Sequence, residues 1–211
     1  MTISRNISVL AQGASSSGIL AGGYGGLGAS ISPTAAGNTV FSTDGANWSS
    51  TAKIVQGTSV ASTSGTSITF TGLPSWVKRI TMQLNGVSTD SAASIFSVQL
   101  GTSGGIVSTG YNSSSGSIST SQATGANGLT TTGFVVGNMN AVADLFSGVI
   151  TIVNFSSNTW ACTSVTNRTG AVPVTGYSSG TPIALGGVLT QVRLTISAGA
   201  FDAGSVNILY E

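Results

Sequence analysis

From about residue 62 onward, apolar and polar positions alternate with a period of two. Ile68 and Phe70 share one face, as do Ile80, Met82 and Leu84 set against Arg79, Thr81, Gln83 and Asn85, and Phe96, Val98 and Leu100 set against Ser97 and Gln99. Successive side chains of a strand point to opposite faces, so this alternation predicts half-buried antiparallel strands. Further strands are expected at Phe134 to Val136, Val149 to Phe155, Thr159 to Val165, Ile183 to Leu185, Val188 to Ile196 and Val206 to Tyr210. The total is eight to ten short strands. In Val149 to Phe155 the apolar residues fall on both faces, as in a strand between layers or at a subunit interface. Gly and Ser clusters punctuate the pattern. The longest, Tyr111 to Gly128 and Arg168 to Gly180, read as surface loops.

Residues 1–59 have a different texture, with Ser15-Ser16-Ser17-Gly18 and Gly22-Gly23-Tyr24-Gly25-Gly26-Leu27-Gly28 and no sustained alternation. Such a stretch loses much backbone entropy on ordering, so it is expected to act as an arm that orders on a partner, the alternative being a frayed terminus. Ile3, Ile7, Val9 and Leu10 are its candidate anchors, and Val40, Phe41 and Trp48 could pin short strands on another chain. The organisation expected is therefore an arm over 1–59 and a β-domain over 60–211.

Composition narrows the chemistry. Only 5% of the 211 residues are charged, against about 25% in ordinary domains. Leu, Ile, Val and Phe supply 53 residues, a quarter of the chain, which is enough for a core. The 63 Ser and Thr and 30 Gly, with few Lys, Glu or Arg, oppose helix. The class expected is all-β, an antiparallel sandwich of jelly-roll type. Mean hydropathy is +0.37, yet apolar runs are too short to span a bilayer, so no membrane insertion is expected. Ser8 and Gln12 interrupt the apolar start before it reaches signal-peptide length. A net charge of +1 without basic clusters argues against nucleic acid.

The absence of histidine excludes imidazole catalysis and His-ligated metals, and a lone Cys162 cannot close an internal disulfide or build a thiolate metal site. No cofactor or metal is expected. Gly23, Gly25 and Gly28 with Asp44 match a dinucleotide fingerprint in spacing but lack the strand–helix context that would give it meaning. Asn6, Asn47, Asn112, Asn154 and Asn167 begin glycosylation triplets. Twelve Asn and 63 Ser and Thr produce about four by chance, so these five carry no information. A glycosidase pair would have to come from Asp44, Asp90, Asp144, Asp202 and Glu211, and isolated Asp residues near Gly or Ala more often cap turns. Trp76 and Trp160 read as core-closing aromatics. Tyr111 and Tyr177, in polar loops with Asn112 and Arg168, are the candidate contacts for an outside ligand.

Thr69-Phe70-Thr71-Gly72-Leu73-Pro74-Ser75-Trp76-Val77-Lys78-Arg79-Ile80 resembles a segment that recurs in tail-fibre and related adsorption proteins of tailed bacteriophages. Leu84-Asn85-Gly86-Val87-Ser88-Thr89, Val98-Gln99-Leu100-Gly101 and the closing Gly204-Ser205-Val206-Asn207-Ile208-Leu209-Tyr210-Glu211 look like the same domain, so the resemblance covers about residues 62–211. The opening Ile7-Ser8-Val9-Leu10-Ala11 with Gly18-Ile19-Leu20 is similar to the N-termini of short phage structural proteins. The resemblance implies a homotrimeric β-sandwich carried on the virion, with no catalytic residues. Residues 1–59 would hold other phage structural proteins, and the C-terminal domain would meet a host-surface glycan or protein through Tyr111, Asn112, Arg168 and Tyr177. Such a protein is made in the host cytoplasm without a signal peptide and resides on the tail or capsid surface. A capsid decoration or head-fibre protein is the alternative. A glycan depolymerase using Asp90, Asp144 or Asp202 between subunits is the third reading.

Overall fold

The computed structural model describes residues 54–119, 130–170 and 173–211 in full, with the backbone of strands at 38–42, 48–52 and 125–130. The chain divides into two compact units, Met1–Ile54 and Val55–Glu211. In the first, β1 (Asn38–Ser42) and β2 (Trp48–Ala52) pair antiparallel with each other, so these two strands, which the sequence offered to another chain, find a partner within their own. Ile3, Ile7, Val9, Leu10, the Gly23–Gly28 motif and Asp44 lie outside the described residues.

The second unit is all-β and antiparallel throughout, with no helix among the described residues. Its strands are β3 (Val55–Gln56), β4 (Val60–Ala61), β5 (Ser67–Thr71), β6 (Arg79–Thr89), β7 (Ile95–Thr102), β8 (Gly105–Ile106), β9 (Ser113–Ser119), β10 (Gly125–Thr130), β11 (Phe134–Asn138), β12 (Leu145–Ser156), β13 (Thr159–Thr169), β14 (Val174–Ala184), β15 (Gln191–Ile196) and β16 (Phe201–Tyr210). They form a nine-stranded sheet in the order β10-β9-β14-β13-β12-β6-β16-β3, with β4 also on β16, and a five-stranded sheet in the order β11-β7-β15-β5, with β8 on β7. The unit starts at Val55 because Val55 and Gln56 pair with Tyr210 and Leu209.

The alternation read from sequence fixes the inner faces. Ile80, Met82 and Leu84 of β6, Ile150 and Ile152 of β12, and Val206 and Ile208 of β16 turn inward from the large sheet. Val98 and Leu100 of β7, with Val192 and Leu194 of β15, do so from the small one. All join a single apolar cluster. Phe96 of β7 stacks on Phe146 of β12 with ring centroids 5.1 Å apart, tying one sheet to the other. Between β6 and β16 the register slips at Gly204, whose φ of +91° and closeness to the Gly86 carbonyl leave no room for a Cβ.

Two segments read as loops are corrected. Tyr111 to Gly128 contains β9 and most of β10, and Arg168 to Gly180 contains the end of β13 and most of β14. The inner faces of β9 and β14 in these segments carry hydroxyls and glycines more than hydrocarbon, so hydrophobic periodicity is silent there. Ser113 Oγ donates to the Gly133 carbonyl at 3.0 Å and accepts from Val135 N at 2.9 Å. Ser164 and Ser178 face each other across β13 and β14 with their Oγ atoms 2.6 Å apart. A buried hydroxyl with partners costs little to bury, and small side chains let strands approach closely.

Candidate interaction surface

With the inner faces assigned, the outer face of the large sheet follows by parity. Register places Gly116, Tyr177, Val165, Val149, Gln83 and Asn207 in one row across six adjacent strands, from β9 to β16. The beside-lying row is Ser114, Ser179, Thr163, Thr151, Thr81 and Leu209. Three neighbours in the first row are large and apolar yet open to solvent: Val165 is 63% exposed, Tyr177 45% and Val149 44%. Ile118, Leu145 and Phe155 are exposed on the same sheet.

Charge is scarce on this surface. β9, β12, β13 and β14 contain one charged residue, Arg168, and its parity on β13 turns it to the inner side. β6 adds Arg79 at its start, already paired with Glu211. The 52 residues of β9, β14, β13, β12 and β6, at about 4.8 Å between strands and about 3.3 Å along them, give roughly 800 Å² for the face from β9 to β6. The Tyr177 ring lies against the Gly116 backbone, so close that a Cβ on Gly116 would stand 2.7 Å from the ring. A ring laid over a cross-strand glycine fills the gap that the glycine leaves and holds the aromatic flat. A flat, hydroxyl-studded face with an apolar centre suits contact with a surface of the same kind.

The residues proposed from sequence as outside contacts do not gather in one place. Tyr177 is on this face. Asn112 is exposed just before β9, and its backbone carbonyl accepts from Thr181 N at 2.9 Å. Tyr111 is corrected to a core residue, 2% exposed, with its ring edge-on to Phe134 at 5.0 Å. Its hydroxyl accepts from Leu100 N at 2.8 Å and donates to the Val107 carbonyl at 3.0 Å. Burial pushes this phenol up to about 12. Arg168 is corrected likewise: its side chain is 11% exposed, its Nε is 3.3 Å from Asp144 Oδ2 and its Nη1 donates to the Asn138 carbonyl at 2.8 Å.

The carboxylates are held separately. Asp144 accepts from Asn140 N and Ala141 N besides meeting Arg168. Asp90 accepts from Ala200 N at 2.7 Å, Asp202 from the Ser88 hydroxyl, and Glu211 meets Arg79. Each does capping or pairing work. Cys162 is buried in the core, where loss of solvation pushes its thiol up to about 12. Trp160 is 4% exposed, and Trp76, half-buried, tilts onto Tyr210 with centroids 5.9 Å apart. Sequence reading singled out 149–155 for its two apolar faces. It missed Val165 and Ile118, because only strand register reveals which apolar residues line up. No protein-family model matches the chain, and no curated protein matches it.

Proposed function

We propose that the chain is a non-enzymatic structural subunit of a bacteriophage virion: a short homotrimeric fibre or appendage held by residues 1–59. Its C-terminal β-domain, a jelly-roll-like sandwich, is turned toward the host surface. The phage assignment rests on the segment Thr69–Ile80 and its companions. The observation that carries assembly is the charge-poor outer face with Tyr177, Val165 and Val149 in register. Its area is close to the roughly 800 Å² per partner of a standard interface. In a three-fold ring the face packs on a different patch of the neighbouring copy, and a face poor in charge does so with little charge to strip of water. With Tyr111 in the core, Arg168 in an internal ion pair and Tyr177 on the face assigned to assembly, host contact falls to Asn112 and surfaces not suspected from sequence.

Sedimentation equilibrium of the full chain beside Val165→Lys tests the assembly. A trimer that becomes a folded monomer on substitution supports the reading, and a wild-type monomer at tens of micromolar overturns it. Gold-labelled antibody to residues 62–211 on purified virions tests the location. Label on tail or fibres agrees with an adhesion role, label over the head replaces it with capsid decoration, and bare virions refute the phage assignment.

A further inference from the structure

The outer face of the five-stranded sheet has a different chemistry. Register sets Arg193 of β15 between Thr69 of β5 and Gln99 of β7, with Gln191 and Thr195 two residues away on the same face. The chain at Thr132–Gly133 lies over the outward side chains of β7: Gln99 Nε2 donates to the Thr132 carbonyl at 2.7 Å, and a Cβ on Gly133 would touch Ser97 and Gln99. Ser97 and Gln99 are therefore buried, while Ser67, Thr69 and Thr71 stand open at the β5 edge. The result is a ledge with the half-buried Arg193 at its foot.

Three arginines lie in the unit Val55–Glu211, Arg79, Arg168 and Arg193. Arg79 meets Glu211 and Arg168 meets Asp144, whereas Arg193 meets no carboxylate among the described residues. Its Nε and Nη2 both donate to Gln99 Oε1, the first at 2.9 Å, and Gln99 is itself pinned by Thr132. A guanidinium has five N–H donors, so two on Gln99 leave three, held in a fixed plane and without a counter-ion. Beside it Gln191 Nε2 is fixed on the Thr102 carbonyl at 2.7 Å, which leaves its oxygen to accept. Thr195 donates to the Thr66 carbonyl at 3.2 Å, which leaves its hydroxyl's lone pairs.

From this geometry we infer that the Arg193 ledge binds the carboxylate of an acidic saccharide, a uronic or sialic acid residue. Two carboxylate oxygens match the planar donors left on Arg193. Neighbouring side chains on a sheet lie about 5–7 Å apart, so the hydroxyls of the sugar that bears the carboxylate reach Thr69, Gln191 and Thr195. Half-burial strengthens the charge–charge term relative to open water. The absence of large apolar side chains among these neighbours favours a hydroxylated ring over a peptide. This site lies wholly within one protomer and on the other sheet, so it stands or falls independently of self-association.

Calorimetric titration of the full chain with tetragalacturonate, its methyl ester and sialyllactose tests the inference. Both acids, or one of them, bind, and which one binds separates uronic from sialic acid. The neutral ester is expected to bind at least tenfold more weakly. Arg193→Gln removes the charge. Thr69→Glu, an exposed edge substitution that leaves the Arg193–Gln99 fork intact, supplies an internal counter-ion; each change is expected to weaken binding at least tenfold, Thr69→Glu at unchanged melting temperature. Absence of binding by both acids, equal binding of the ester, wild-type affinity in both variants, or equal affinity for plain acetate would each overturn the proposal.

Discussion

Asp144→Ala separates a structural from a catalytic role for the most buried carboxylate. Asp144 is 6% exposed and its Oδ2 accepts three contacts: Asn140 N at 3.2 Å, Ala141 N at 3.1 Å and Arg168 Nε at 3.3 Å. It therefore fastens the turn between β11 and β12 to the end of β13. Removing it strands a guanidinium whose side chain is 11% exposed and frees two backbone donors. Breaking a buried pair from one side costs about 3–5 kcal/mol, because the remaining charge has lost its partner without regaining water. A domain holds only about 5–15 kcal/mol in all, so this is a large fraction.

Urea denaturation at fixed protomer concentration reads that cost, since association adds to apparent stability. The double variant Asp144→Ala, Arg168→Met is the control. Replacing both charges removes the stranded guanidinium, so the double variant is expected to be more stable than Asp144→Ala alone, a coupling of the sign a double-mutant cycle detects. A loss under about 1 kcal/mol for Asp144→Ala, or single losses that simply add, would refute the account. Polysaccharide cleavage abolished by Asp144→Asn in a protein of unchanged stability would restore the depolymerase reading.

Tyr111→Phe keeps the ring on Phe134 but removes the acceptor of Leu100 N and the donor to the Val107 carbonyl, and should cost about 1–3 kcal/mol in the same urea assay. Cys162 is expected to resist thiol reagents at pH 8 in the native protein and to react at once in urea. Its thiol is raised from 9.0 to about 12 in the fold, so the neutral form is favoured there. The contribution of Cys162 to stability is therefore fully present below pH 9 and is lost as the pH climbs from 9 toward 12, joined above pH 10 by that of Tyr111, and an alkaline melting series reads the decline. Gly116→Ala pushes the Tyr177 ring off its seat, and losing about 0.5–1.5 kcal/mol of aromatic contact should weaken self-association about two- to tenfold by sedimentation while leaving the core intact.

Strands whose inner face is hydrocarbon were legible in the sequence: Ile80, Met82 and Leu84, or Val192, Leu194 and Ile196, alternate without interruption. β9 and the part of β14 before Ile183 were not, since Ser113, Ser115 and Ser178 bury hydroxyls that no hydropathy pattern distinguishes from a loop. The same blindness misplaced Tyr111. Its polar neighbours suggested an exposed ring, whereas its two hydrogen bonds are what let a phenol enter the core. Arg168 looked like a surface cation because its partner Asp144 lies 24 residues earlier, and only the pairing of β12 with β13 brings the two ends together. Val149, Val165 and Tyr177 come from three strands, and their alignment depends on registers that depend in turn on the bulges between Phe146 and Gly148 and between Trp160 and Cys162.

Scarcity of charge makes the two faces separable by salt. The unit Val55–Glu211 contains eight charged side chains, and four are consumed in the pairs Arg79–Glu211 and Arg168–Asp144. Asp90 and Asp202 are held by Ala200 N and Ser88. The outer face carries no charged side chain from β9 to β12, and Arg79 at the start of β6 is already paired with Glu211, so self-association should be unchanged or slightly strengthened between low salt and about 0.5 M, where hydrophobic contact persists. Arg193 instead attracts through a charge that is only half-buried. Over the same range the Debye length shrinks from tens of ångströms to a few, so carboxylate binding should fall severalfold. Sedimentation and calorimetry on one salt series then give opposite trends if the two surfaces have the characters assigned to them. Association that dissolves with salt would mean that charges other than those described hold the subunits together.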